Sequence, residues 1–240
     1  MRVHDWASLG AALAGLSGVA LLATGRTEAG LVCALGGLCA AVMARVASRR
    51  LPGPMPYGLR WVLYLPRGPL AAAKLRTILE PAPGERILEI GPGVGIYSLP
   101  IAQALAPDGT LDAIDIQRDM LADLSTRARR AGVRNIAAAQ GDAQHLAYDD
   151  GAFDAAFLVA VLGEIPDPSA ALRELRRVLR PTGRLVVGEM LLGDPDAIAP
   201  TTLRKMVEEA GFVFERRQGP WLCYFARFRV EPPSPALREQ

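Results

Sequence analysis

From Arg86 onward, short apolar runs alternate with amphipathic stretches of about ten residues, an order that few folds accommodate. Arg86 to Ile90 is the first predicted strand, and Tyr97 to Ala106 a helix ended by Pro107-Asp108-Gly109. Thr110 to Ile114 is the next strand, followed by a helix from Arg118 to Ala131 that stops at Gly132. Ile136 to Gln140 and Phe153 to Ala160 are further strands. Asp167-Pro168-Ser169 then opens a helix to Leu179, with Leu172, Leu175, Val178 and Leu179 along one face. Pro181-Thr182-Gly183 turns into a strand from Arg184 to Glu189. A helix from Thr201 to Ala210 and two strands, Phe212 to Arg217 and Trp221 to Arg229, complete the order. The expected fold is α/β: a doubly wound, mostly parallel seven-stranded sheet ending in an antiparallel hairpin.

The first fifty residues belong to a different chemistry. No charged side chain occurs from Trp6 to Gly25, and after Arg26-Thr27-Glu28 a second apolar run extends from Ala29 to Ala44 and on through Arg45 to Ala47. About 20 apolar residues cross a bilayer core, which the first run meets. The second is shorter, and Arg45 near its end can snorkel. Small residues four apart, Gly10-Ala14-Gly18 and Gly36-Ala40, permit close helix packing. Residues 1–50 are therefore expected to form a two-helix transmembrane hairpin, with residues 6–47 in the membrane. Arg45, Arg49 and Arg50 place the following domain on the cytoplasmic side of the cytoplasmic membrane. A cleaved signal peptide, a buried or dimer-forming helix pair, and a single span with a re-entrant segment are the competing readings. Residues 51–80 form a linker, stiffened by Pro52, Pro54 and Pro56, and then an N-terminal helix. The Tyr57-Gly58-Leu59-Arg60-Trp61 segment suits either an interfacial helix or a cap on one end of the sheet. The folded domain occupies 81–230, and 231–240, rich in proline, is expected to be a disordered tail.

Composition removes other classes. The 27 basic and 25 acidic residues nearly cancel, and no basic run interleaved with aromatics suggests nucleic acid. Cys33, Cys39 and Cys223 have neither metal-ligand nor disulfide spacing, so a reduced, metal-free intracellular chain is expected.

The segment Leu88-Glu89-Ile90-Gly91-Pro92-Gly93-Val94-Gly95 follows a strand and precedes a helix, the context of a nucleotide-binding loop. Its glycines recur every second residue, which departs from the spacing of dinucleotide enzymes because Ile96 takes the sixth position. A tight strand-to-helix turn without a ligand would also use glycines there. Asp115 ends the second strand about twenty residues beyond Gly95, where a carboxylate can accept both ribose hydroxyls. Asp142, after the third strand, can accept from an adenine amino group or simply hold its own turn. All three features fall at the carboxyl edge of the sheet, where open α/β sheets bind ligands.

With Asp115-Ile116, Met120-Leu121, Gly141-Asp142-Ala143, Phe153-Asp154 and Glu174 through Gly183, this series resembles the class I S-adenosylmethionine (SAM) dependent methyltransferases. In style it is similar to the ubiquinone/menaquinone methyltransferase group. The resemblance covers about Pro81 to Glu189. It implies SAM as cofactor, with Glu89, Gly91, Gly93 and Gly95 around its methionine part. It likewise implies Asp115 and Ile116 at the ribose side, and Asp142 and Ala143 at the adenine.

Where many relatives carry histidine or aromatic residues after the fourth strand, this chain has Val161-Leu162-Gly163-Glu164-Ile165-Pro166. Glu164 is then the candidate catalytic group: a general base, a carboxylate for an amine acceptor, or a turn cap. Glu189 is a further candidate of that kind, and His145 and Tyr148 are expected at the surface. The expected activity is methyl transfer to a small-molecule or lipid acceptor. A SAM-binding module without catalysis is the alternative. A nicotinamide-dependent oxidoreductase fits less well, given the glycine spacing and the absence of a Tyr-x-x-x-Lys pair.

Overall fold

The computed structural model describes residues 52–232 and scattered positions between 31 and 46. The transmembrane hairpin expected over 1–50 falls almost entirely outside the described residues, as does the tail expected over 231–240 except at its start, where the Glu231 backbone bonds Gly211 and Arg176. Among the described residues no helix is long and apolar enough to cross a membrane.

Seven strands form one sheet in the order β3-β2-β1-β4-β5-β7-β6. They are β1 (Arg86–Ile90), β2 (Thr110–Asp115), β3 (Ile136–Gln140), β4 (Phe153–Val159), β5 (Leu179–Met190), β6 (Phe212–Gln218) and β7 (Cys223–Val230). β1 pairs in parallel with β2 and β4, and β4 with β5; β7 runs antiparallel to both β5 and β6. The doubly wound sheet with a C-terminal antiparallel hairpin is thus as expected. β5 differs in starting at Leu179 rather than Arg184. Leu179 pairs with Phe153 and Arg184 with Ala155, so Arg180 to Gly183 is an excursion within one strand.

Side chains leave the two sides of each strand alternately, and β1 shows what this does. Ile87 joins a core with Phe157, Val186 and Phe225, covered by α1 (Ala72–Leu79) and α2 (Ser98–Leu105). Leu88 and Ile90 join the opposite core with Leu158, Leu185 and Tyr224, covered by α4 (Pro168–Val178) and α5 (Pro200–Glu209). The fifth helix, α3 (Arg118–Arg130), packs Leu121 and Leu124 on Ala113. The start of α4 is fixed as the sequence suggests, because the Asp167 carboxylate accepts the Ala170 N–H at 2.9 Å. Burial on both faces explains why the central strands read as continuous apolar runs.

Before the sheet, residues Tyr57–Tyr64 form a 3-10 helix and Gly68–Leu70 a short 3-10 turn. α1 then buries Leu75, Ile78 and Leu79. Phe157 in β4 is fully buried between β1 and β5. Phe157→Ala is predicted to lower stability by about 3–5 kcal/mol, read as an earlier urea midpoint with an unchanged slope.

Candidate active site at the carboxyl edge

β1 lies between two parallel neighbours whose connections leave in opposite directions, so its carboxyl end opens at the switch point of the sheet. The chain turns there on Gly91, Gly93 and Gly95, at φ +66°, +53° and +83°. L-residues avoid this region. A Cβ on Gly91 would also lie 2.5 Å from Val161 Cγ2, and one on Gly95 would collide with Leu124. Packing therefore accounts for these two glycines without any ligand. Gly93 differs, since a Cβ there would meet only Leu63 Cδ1, at 3.0 Å.

The carboxylates make the stronger argument. Glu89, one residue before the end of β1, is 2% exposed, and its Oε2 has no hydrogen-bond partner. The Ser98 hydroxyl, also buried without a well-formed hydrogen bond, is its near neighbour at the start of α2. Burial pushes the Glu89 carboxyl up to about 8; Ser98 opposes the rise and Asp115 adds to it. An unsatisfied carboxylate oxygen costs stability, and a bound cation would relieve that cost. Asp115, 8% exposed, accepts the Gln117 N–H at 2.9 Å and the Gly93 N–H at 3.3 Å. Burial raises its pKa while these N–H groups hold it down. One carboxylate thus ties the glycine turn to the end of β2.

Asp142 is placed beside them at the end of β3, since the Gly141 N–H donates to the Asp115 carbonyl. Its side chain accepts the Gln144 N–H at 2.9 Å and the Gln144 amide at 3.0 Å. It therefore holds its own turn, the structural reading that the sequence left open, while Ala143 is buried behind it. Ile116 stands 52% exposed at the same edge, an apolar surface free to cover a flat ring. His145 is exposed, whereas Tyr148 packs edge-on against Phe153 at the opposite end of β4. Glu189 is buried, and its Oε2 accepts the Ile198 N–H at 3.2 Å, fixing the loop before α5.

Glu164 sits in a 3-10 turn after β4 and accepts the Met55 N–H at 3.2 Å. The Met55 carbonyl accepts from Gln117 Nε2 at 3.0 Å. One residue of the N-terminal strap therefore bridges the loops after β2 and β4, directly across the carboxyl edge. The strap is held further by Tyr57 to Asp123 at 3.0 Å, Arg60 to Asp123 at 3.1 Å, and Leu63 over Gly93. Burial, with the nearby Asp194, Asp196 and Asp115 and against the Met55 N–H, holds the Glu164 carboxyl well above the usual range. Gly163 is required beside it, because a Cβ there would run into the Asp196 carbonyl. Sequence reading found the glycines and acids of this edge but missed Ser98, Gln117, Met55 and Leu63. Among the described residues no cluster of His, Cys, Asp or Glu could hold a metal ion.

Folding raises the Glu89 pKa from 4.5 to about 8, so between those values the folded chain binds more protons than the unfolded one. Stability must then fall as pH rises through that window. Glu89→Gln is predicted to flatten the decline, measured as urea midpoints between pH 5 and 8. Equal slopes for both proteins would contradict the buried charge.

Residues 88–187 match the family of methyltransferase domains. Nocamycin O-methyltransferase of Saccharothrix syringae is 31% identical over 48% of this chain and 41% of its own length. Demethylmenaquinone methyltransferase of Bacillus cytotoxicus is 27% identical over 45% of this chain and 46% of its own. The chain thus spans less than half the length of these curated relatives. Among solved structures, a SAM-dependent methyltransferase from Aquifex aeolicus superimposes with a TM-score of 0.68 at 18% identity, covering 74% of this chain and all of that one. The [4+2]-cyclase SpnF superimposes at 0.60 with 20% identity, over 67% of this chain and 80% of its own. The glycine turn, Glu89, Asp115 and Asp142 all lie within the matched segment; over it the chain is similar to methyltransferase domains, and its sheet has the fold of the solved SAM-dependent methyltransferase.

Proposed function

We propose that the chain transfers a methyl group from SAM to a small, lipophilic or membrane-associated acceptor at the carboxyl edge of the sheet. The observation that carries this reading is the pairing of Glu89 and Asp115 across the glycine turn, with a buried Glu89 oxygen left without a partner. Bound SAM supplies an activated sulfonium methyl. The chain's own residues have to bind, orient and exclude water, and orientation can supply most of the acceleration. Glu89 receives the ammonium group, and Asp115 the ribose hydroxyls. Ile116 would cover the adenine, and Asp142, while holding its own turn with Ala143 packed behind it, would accept from the adenine amino group.

Glu164 is the proposed group at the transfer side. Its raised pKa suits a base for an acceptor that must lose a proton during attack. Its bond to Met55 makes it a fastening for the strap as well. The lipophilic acceptor is supported by the apolar residues 6–47, read as a membrane hairpin that keeps the domain on the cytoplasmic face. A relative that methylates demethylmenaquinone points the same way.

A second reading, SAM binding without methyl transfer, has support in the SpnF likeness, because one fold hosts different reactions. The full chain in phospholipid vesicles, given methyl-tritiated SAM and a membrane lipid extract, is expected to put label into the organic phase. Asp115→Ala should lower that rate by at least about tenfold, which corresponds to about 1.4 kcal/mol. Label entering soluble acceptors only, unaffected by removal of residues 1–50, would contradict the membrane route. SAM binding with no label in any acceptor would favour the second reading.

A further inference from the structure

Besides Ile116, six large apolar side chains among the described residues stand exposed at the same edge as the site. On the strap they are Trp61 (52% exposed), Tyr64 (55%) and Leu65 (52%); beside the sheet they are Leu192 (73%), Trp221 (49%) and Leu222 (51%). Single exposed hydrophobics are ordinary, but a group of this size on one side calls for a covering partner. The topology brings the two halves together. β5 ends at Met190, which pairs with Cys223 at the start of β7, and the Leu191 N–H donates to the Leu222 carbonyl at 2.8 Å. Leu192, Trp221 and Leu222 therefore project beyond the carboxyl end of β5. The strap reaches that edge from the other side, with Leu63 over the glycine turn and the Leu70 backbone against the Cys223 thiol. Arg67 spans between them, donating to the Leu63 carbonyl at 3.4 Å and the Tyr97 hydroxyl at 3.5 Å.

The preceding chain identifies the occupant. Leu31, Val32, Leu35, Val42 and Val46 are helical, and each exposes about half of its surface or more. The apolar run they belong to ends at Ala47, ten residues before Tyr57. That length of chain spans at most about 35 Å, so whatever embeds the run lies close to the strap. Tryptophan, tyrosine and arginine are the residues that settle at a lipid headgroup layer, each with an apolar body and a polar end.

We propose that Trp61, Tyr64, Leu65, Leu192, Trp221 and Leu222 form one docking face for the lipid bilayer, seating the carboxyl edge of the sheet against the membrane. The inference rests on the reading of residues 6–47 as membrane-embedded and adds the orientation of the domain to it. A lipophilic acceptor would then enter the site from the headgroup layer without crossing bulk water.

The test uses the full chain in vesicles of phosphatidylcholine with a minor share of phosphatidylglycerol. The chain has three tryptophans, so Trp6→Phe with Trp61→Phe leaves Trp221 alone, and Trp6→Phe with Trp221→Phe leaves Trp61 alone. Both replaced positions of the domain are half exposed, and cooperative urea unfolding checks each variant. With brominated phosphatidylcholine, emission from either sole tryptophan is expected to fall to half or less of its value in unbrominated vesicles. A chain that floats with the vesicles while Trp221 stays unquenched would overturn the docking face and leave the anchor standing. A chain that does not float would overturn both. Trp221 unquenched by bromolipid yet shielded from acrylamide as protein concentration rises would mean that a second copy covers the face, and would also overturn the proposal.

Discussion

A carboxylate is buried at the end of the central strand of a parallel sheet, and much of this molecule is arranged around it. β1 can carry Glu89 inside only because β2 and β4 cover both of its edges and helices cover both of its faces. Such a group is costly in a protein interior unless a partner meets it. Among the described residues the Ser98 hydroxyl lies near Glu89, and its second oxygen is unmet. The same strand end releases the chain into α2 through the left-handed glycine turn. Asp115 then joins the turn to β2 through the Gly93 N–H. Fold, turn and charge thus answer one constraint, which the proposed cationic ligand would complete.

The fold was legible because parallel strands buried on both faces leave a coarse mark: apolar runs, glycine or proline breaks, and an amphipathic helix with an Asp cap. β1 and β3 follow the expected limits, and α4 begins where Asp167-Pro168 said it would. β5 was read short because Pro181-Thr182-Gly183 looks like a terminal turn, whereas Leu179 still pairs with Phe153 ahead of the excursion. Of the site, the glycines and both aspartates could be read, since each follows a strand. Why Gly91 and Gly95 are glycines could not, because the reason lies in Val161 and Leu124, distant in sequence.

The strap was the least legible part. Met55 is held by its backbone N–H and carbonyl, and a backbone hydrogen bond leaves no mark on residue choice. Sequence offered Tyr57 to Trp61 either as an interfacial helix or as a cap on the sheet. The contacts of Tyr57, Arg60 and Leu63 place it on the sheet edge, while Trp61 and Tyr64 remain exposed. Those two readings are therefore compatible in one segment. Glu164 gains a meaning that its position alone did not give, since the carboxyl proposed for the transfer step also fastens the strap across the carboxyl edge.

The central claim is that the paired carboxylates and the glycine turn hold SAM. Calorimetric titration of SAM, S-adenosylhomocysteine and NADH into the full chain in detergent tests it directly, with Asp115→Ala as the control. Micromolar binding of the first two, absent for NADH and lost in the variant, is the predicted result. A folded chain that takes neither SAM nor S-adenosylhomocysteine, or that prefers NADH, would contradict it.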